Sequence, residues 1–189
     1  MRELSLHILD IAENAATAGA TRVSIRVEES TAADRLVFTV EDNGRGLPAG
    51  KARRLDDPFI TGRTTRRVGL GLSLLSAAAR RCEGALEVGT PAPGGTRVAA
   101  SFRRSHIDRA PLGDMAATLT TLFAAHPAID FDYTHGIDGN VFSLSTRDLR
   151  EELAGMPLTD PAVMLQVTEA IRRALRGLIA QATPDPKET

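Results

Sequence analysis

A two-layer α/β sandwich, with a mixed, largely antiparallel sheet carrying its helices on one face, is the fold class this sequence predicts. Three observations lead there. Segments with helical and strand character follow in the order helix, two strands, loop, helix, two strands. The strand segments alternate apolar and polar residues, as a sheet with one covered face requires. The second long helix is apolar around most of its circumference, which suits a helix pressed against a sheet.

The first helix is read from Leu4, Ile8, Ile11, Ala12 and Ala15, which recur at helical spacing from residue 3 to about 18, and Gly19 follows where a left-handed cap is needed. Asp10 and Asn14, four apart, leave the same face one turn from each other. A carboxylate and an amide stacked in this way suit a magnesium ion or a water aimed at a phosphate. They equally suit a solvated helix face, and the pair alone leaves both readings open.

Thr21 to Val27 and Arg35 to Val40 alternate and flank a polar, turn-like segment, which predicts a hairpin. The second strand runs into Asp42-Asn43-Gly44-Arg45-Gly46, where two glycines open a tight loop. A carboxylate fixed at a strand end accepts a hydrogen bond from an exocyclic amine and repels a carbonyl, so Asp42 favours adenine over guanine. An isolated Asp-Asn-Gly is also an ordinary turn.

Residues 51–55 are predicted as a short helix ended by Asp57-Pro58. The stretch 57–75, DPFITGRTTRRVGLGLSLL, then carries the densest signal in the chain. Its loop supplies the charges of Arg63, Arg66 and Arg67 and the hydroxyls of Thr61, Thr64 and Thr65. It ends on Gly69-Leu70-Gly71-Leu72 at a helix start, where glycines admit an anion close to the main chain and unpaired N–H groups meet it. The helix is read over Leu70 to Cys82, with Arg80 and Arg81 suiting its C-terminal end. Gly84 to Gly89 and Thr96 to Phe102 read as two strands joined at Pro91-Ala92-Pro93-Gly94-Gly95.

Composition narrows the function. The 189 residues include 23 Lys and Arg against 24 Asp and Glu, so the broad basic footprint of a non-specific nucleic-acid binder is missing. Cys82 is the only cysteine, which excludes an internal disulfide and a multi-cysteine metal site within one chain. No apolar run is long enough for a membrane span, and the N-terminal residues lack the pattern of a signal peptide. The expectation is a cytoplasmic protein that meets neither membrane nor nucleic acid.

Taken in order, Asp10-x-x-x-Asn14, Asp42-x-Gly44-x-Gly46, Phe59 with the Thr and Arg loop, Gly69-x-Gly71 and Gly94-Gly95-Thr96 resemble the motifs of the GHKL ATPases, over roughly residues 1–104. That superfamily includes DNA gyrase, the heat-shock chaperone ATPase, sensor histidine kinases and MutL. The segment from Glu13 to Thr21 is similar to MutL, DPFITGR and GLGLSLL to the kinases, and the whole to stand-alone ATP-binding proteins associated with bacterial iron hydrogenases. The resemblance implies the Bergerat ATP-binding fold with ATP and magnesium as ligands. In it Asn14 would hold the metal, Asp42 would accept the adenine amino group, and Gly44 and Gly46 would make room for the base. Gly69 and Gly71 would hinge a lid over the phosphates, Phe59 would pack beside the site, and Thr96 would bond Asp42 or a water. One departure stands out. Asp10 occupies the place of the catalytic glutamate of gyrase-like and MutL-like members and is one methylene shorter, whereas a general base must come within about 3 Å of its water. ATP binding is implied ahead of hydrolysis, and an ATP-dependent switch or weak ATPase, a protein kinase and a non-hydrolysing ATP sensor all stay open.

Residues 105–182 are expected to form a small α/β extension that serves a dimer or a protein partner, and residues 183–189 a disordered tail. Ser105-His106-Ile107-Asp108-Arg109-Ala110-Pro111-Leu112 is similar to the phosphoacceptor box of sensor kinases, but it follows the ATP domain instead of preceding it. It therefore reads either as a phosphorylatable His106 or as a connector in which Pro111 starts a helix. Asp114 to Ala125 is a predicted helix. Ile129 to His135 and Val141 to Ser145 form a predicted hairpin. Thr159-Asp160-Pro161 caps a last helix with an apolar stripe of Val163, Val167, Ile171, Ala174, Leu175 and Leu178, suited to packing at home or against a second subunit.

Overall fold

The computed structural model describes residues 2–46, 70–91 and 94–182. Eleven elements follow one another: α1 (Leu4–Thr17), β1 (Arg22–Ser30), β2 (Arg35–Asp42), α2 (Leu70–Arg81), β3 (Leu86–Gly89), β4 (Thr96–Arg103), α3 (Met115–Ala125), β5 (Asp130–Ile137), β6 (Asn140–Ser145), α4 (Thr146–Glu152) and α5 (Pro161–Ala182). The six strands form one sheet in the order β3-β4-β2-β1-β5-β6. Every neighbouring pair is antiparallel except β1 and β5, which run parallel from Arg22 opposite Asp130 to Glu29 opposite Ile137. The sandwich with a mixed, largely antiparallel sheet is therefore present.

Strand period 2 places Val23, Ile25 and Val27 of β1 and Leu36, Phe38 and Val40 of β2 under the helices, while Ser24, Arg26 and Glu28 face outward. Helix α1 covers this layer with Leu4, Ile8, Ile11, Ala12 and Ala15. Helix α2 buries Leu72, Leu75 and Ala79 but leaves Leu74 exposed, so only one of its apolar faces is used. Strands β4 and β5 point the same way, and α3 makes the crossover that a parallel arrangement demands. One contiguous core then joins Phe38 and Phe102 to Phe123, Phe131 and Tyr133, so β5 and β6 extend the N-terminal sheet itself.

The structure departs from the sequence reading at Pro111, adds α4, and keeps one of the two readings of the α5 stripe. Pro111 starts no helix: its carbonyl accepts from Leu4 N–H, and α3 begins at Met115 with the Asp114 carboxylate accepting from Ala117 N–H. That cap satisfies an orphan donor which Pro111 has no side chain to reach. Helix α4 was not foreseen, because seven residues are too few to show a period. The stripe of α5 packs on its own chain, against α3 and β6, with Asp160 capping Ala162 and Val163 N–H. Arg172 fastens it further by bonding Asp114 at the α3 cap and Glu169 on its own helix. The short helix expected over 51–55 and the tail 183–189 lie outside the described residues.

Candidate functional site

Three elements converge at one end of the sheet. Strand β2 ends at Asp42, whose side chain turns under the helices and is 7% exposed. Its Oδ1 accepts from Gly44 N–H at 2.7 Å, which closes the chain into a tight turn. Among the described residues no other donor reaches that carboxylate, so one oxygen keeps its capacity free. The turn is pinned from both sides. Asn43 Oδ1 accepts from Thr21 and Arg22 N–H, both at 2.9 Å, and its Nδ2 donates to Thr21 Oγ1. Arg45 N–H and its guanidinium donate to the carbonyls of Ala18 and Thr17 at the end of α1.

Space around Asp42 is kept by glycine. A Cβ on Gly44 would stand 3.0 Å from Asp42 Oδ1 and 3.1 Å from Ala18, and one on Gly46 would stand 2.8 Å from the Gly95 carbonyl oxygen. Gly95 itself, at φ +97°, leaves no room for a Cβ because the Asp42 carbonyl oxygen occupies that position. Thr96 lies directly across the ladder from Asp42, so the two side chains share one face of the sheet.

Helix α1 forms the second wall. Asn14 Nδ2 donates to the Asp10 carbonyl at 2.7 Å, which orients the amide and leaves its Oδ1 without a partner among the described residues. The Asp10 carboxylate reaches across to the first turn of α2, where a Cβ on Gly71 would overlap Asp10 Oδ2. The N-terminus of α2, the positive end of its dipole, thus faces the side of α1 that carries Asp10 and Asn14. Leu70 opens α2, and Leu72, buried in the core, holds the helix start in place.

The predicted residues Asp10, Asn14, Asp42, Gly44, Gly46, Gly71 and Thr96 therefore gather at one end of the molecule. Phe59, Thr61, Arg63, Thr64, Thr65 and Gly69 lie outside the described residues. His106 does not join the group. It follows the far end of β4, seven residues of strand beyond Thr96, or about 24 Å away at the usual rise per residue. There its Nδ1 accepts from Asp108 N–H at 3.2 Å within a local turn. Sequence reasoning overlooked the bracing role of Asn43 and the close approach of Gly71 to Asp10. The first was legible in Asp-Asn-Gly as an Asx-type turn residue, whereas the second is a contact between separate helices.

In chemical terms, the Asp42 carboxylate can accept a hydrogen bond from an amine, and Asn14 Oδ1 can ligate a cation. No cluster of three metal-ligating side chains occurs among the described residues, so a cation here would need oxygens from its ligand as well. No helix among the described residues is long and apolar enough to cross a membrane.

Comparison with known proteins bears on family and fold. The family model for histidine kinase-, DNA gyrase B-, and HSP90-like ATPases matches residues 2–106. A sensor protein of Shewanella frigidimarina (strain NCIMB 400) is 26% identical over 109 residues, covering 57% of this chain and 17% of that protein. The chain thus spans less than a fifth of that relative's length. The MutL ATPase domain of Aquifex aeolicus, complexed with ADP, has a TM-score of 0.50 at 16% identity, covering 81% of this chain and 68% of that one, which is a likeness of fold. The N-terminal domain of a DNA repair protein gives a TM-score of 0.46 at 16% identity, over 77% of this chain and 53% of that one.

Proposed function

The chain belongs to the family of histidine kinase-, DNA gyrase B-, and HSP90-like ATPases, and from that premise we propose that it binds ATP with magnesium and works as an ATP-dependent switch with weak ATPase activity. The observation that carries this reading is Asp42, a buried carboxylate with one oxygen spent on Gly44 N–H and the other left for a ligand. Adenine offers an exocyclic amine to that oxygen, and the tight turn through Gly44 and Gly46 holds the carboxylate in place for it. The phosphates then lie toward the N-terminus of α2, whose positive dipole end favours them.

Asn14 Oδ1 would hold magnesium, which would supply positive charge beside the phosphates. Asp10, beside Gly71, is placed to direct a water at the terminal phosphate, and its short side chain makes turnover slow. By their place in the sequence motif, Thr61, Arg63, Thr64 and Thr65 would supply hydroxyls and charge to the phosphates, and Phe59 would supply an apolar side chain. A switch also needs something that reads it. The C-terminal extension shares the sheet with the nucleotide half and presents Val141, Met156 and Leu165 to solvent, a surface for a protein partner or a second copy. His106, about 24 Å along β4 from the nucleotide end, is poorly placed to receive phosphate from its own chain's site.

The test is calorimetric titration of ATP into the protein and its Asp42→Asn variant. An Asn side chain still accepts from Gly44 N–H, so the fold survives, while its NH2 group opposes the adenine amine. ATP affinity falls about ten- to a hundredfold. Equal affinities in the two proteins would remove the base pocket from Asp42. Turnover of γ-labelled ATP sorts the reaction: label released as phosphate is expected, and label retained on the protein would make it a kinase.

A further inference from the structure

A cavity of about 340 Å³ lies at the end of the sheet away from Asp42, between α3, α5 and the last residues of β1 and β5. Leu112, Met115, Leu175 and Ile179 give it apolar walls. Its floor is polar. His135, 2% exposed, meets Tyr133 Oη through Nδ1 at 3.0 Å and Glu29 through Nε2 at 3.3 Å, and Arg104 Nε donates to the second Glu29 oxygen at 3.0 Å. Each Glu29 oxygen thus holds one partner and retains room for another. His135 is the buried member of this network, while Glu29 and Arg104 are only part-buried, so the Glu29 carboxylate stays within reach of the cavity.

The rim supplies the opposite charge. Arg172 is occupied by Asp114 and Glu169, but Arg176, exposed beside it, has no ion-pair partner among the described residues. The geometry points to a second ligand site, separate from the nucleotide cleft, for a small organic anion whose acidic head meets Arg176. Its apolar body lies over Leu112, Leu175 and Ile179, and a hydrogen-bond donor on that body reaches Glu29. Nothing in this arrangement depends on what binds at Asp42.

8-Anilinonaphthalene-1-sulfonate carries all three features: a sulfonate, aromatic rings and an N–H. Its fluorescence is titrated against the full chain, with and without saturating Mg-ATP, and against Arg176→Glu and Arg173→Glu. Arg173 is exposed on α5 outside the cavity, so the two variants change net charge equally. One saturable site is expected, undisturbed by ATP, weakened tenfold or more by Arg176→Glu and nearly unchanged by Arg173→Glu. Displacement by ATP, equal loss in both variants, or no saturable binding would each overturn the site.

Discussion

Gly71, in the first turn of α2, lies so close to the Asp10 carboxylate of α1 that any side chain at 71 would take the place of Asp10 Oδ2. Two helices far apart in sequence thereby meet through a glycine and a carboxylate. The consequence falls on Asp10 more than on the fold, since a carboxylate at the end of a short side chain can rotate away at a cost of about 1 kcal/mol. Alanine is also the better helix former by about 1 kcal/mol. Gly71→Ala should therefore unfold within about 1 kcal/mol of the parent in urea while ATP turnover drops about tenfold. If Gly71 acts through Asp10, the Asp10→Asn/Gly71→Ala double variant is no slower than Asp10→Asn alone. Losses that multiply would separate the two residues.

The junction between the two halves carries a pH signature. The Glu29 carboxyl is held below its ordinary 4.5 by its hydrogen bond with His135 and, to a lesser degree, by Arg104, with burial acting the other way. A depressed carboxyl pKa contributes stability that is present above the ordinary value and lost as pH falls through the folded value. The melting temperature of the parent should thus fall more steeply than that of Glu29→Gln between about pH 5 and pH 3. Asp114, Asp130 and Asp138 are lowered as well by their own partners and give both proteins a common acid slope, so the difference between the curves is the readout. Parallel curves would mean that Glu29 contributes nothing through its charge.

How far the sequence reached follows from the kind of signal each feature leaves. Leu4 through Ala15 repeat at helical spacing and β2 alternates up to Asp42, so α1, the hairpin and the carboxylate at its end were all legible locally. The grouping of Asn14, Asp42 and Gly71 was reached through motif order, because nothing in residues 4–17 names the strand or helix they will face. The pairing of β5 beside β1 was hidden for the same reason: a strand's pattern states which face is covered and is silent about its neighbour. Glu29 and His135, 106 positions apart, and Glu29 and Arg104, 75 apart, likewise meet only once the sheet is assembled. Asp114 was read as part of a helix, whereas its short acceptor side chain makes it the cap.

The unforeseen helix α4 is tied in by one buried hydroxyl. Thr146, 1% exposed, accepts from Phe131 N–H at 2.9 Å and so extends the β5 ladder by a side-chain bond where β6 has already ended. Thr146→Val keeps the shape and removes the acceptor, leaving a buried N–H unpaired at a cost of about 1–3 kcal/mol. Thr146→Ser restores the oxygen and should recover most of that loss in chemical denaturation. Equal stabilities for the Val and Ser variants would show that the bond is replaced by water.

Asn14 offers the cleanest separation of metal from nucleotide. Its side-chain NH2 bonds back to the Asp10 carbonyl within α1, and the side chain is exposed, so removing it leaves the core intact. Alanine's higher helix propensity offsets the lost bond to within about 1 kcal/mol. The effect on magnesium is different, because Asn14 Oδ1 is the side-chain oxygen proposed to hold it. For the parent, ATP should bind at least about tenfold more tightly with magnesium than with a chelator present, a difference of about 1.4 kcal/mol. In Asn14→Ala the two affinities should converge, with the chelator value unchanged from the parent. A magnesium advantage that survived the substitution would place the ion on the phosphates and the 57–75 loop, and would reduce Asn14 to an ordinary solvated residue of α1.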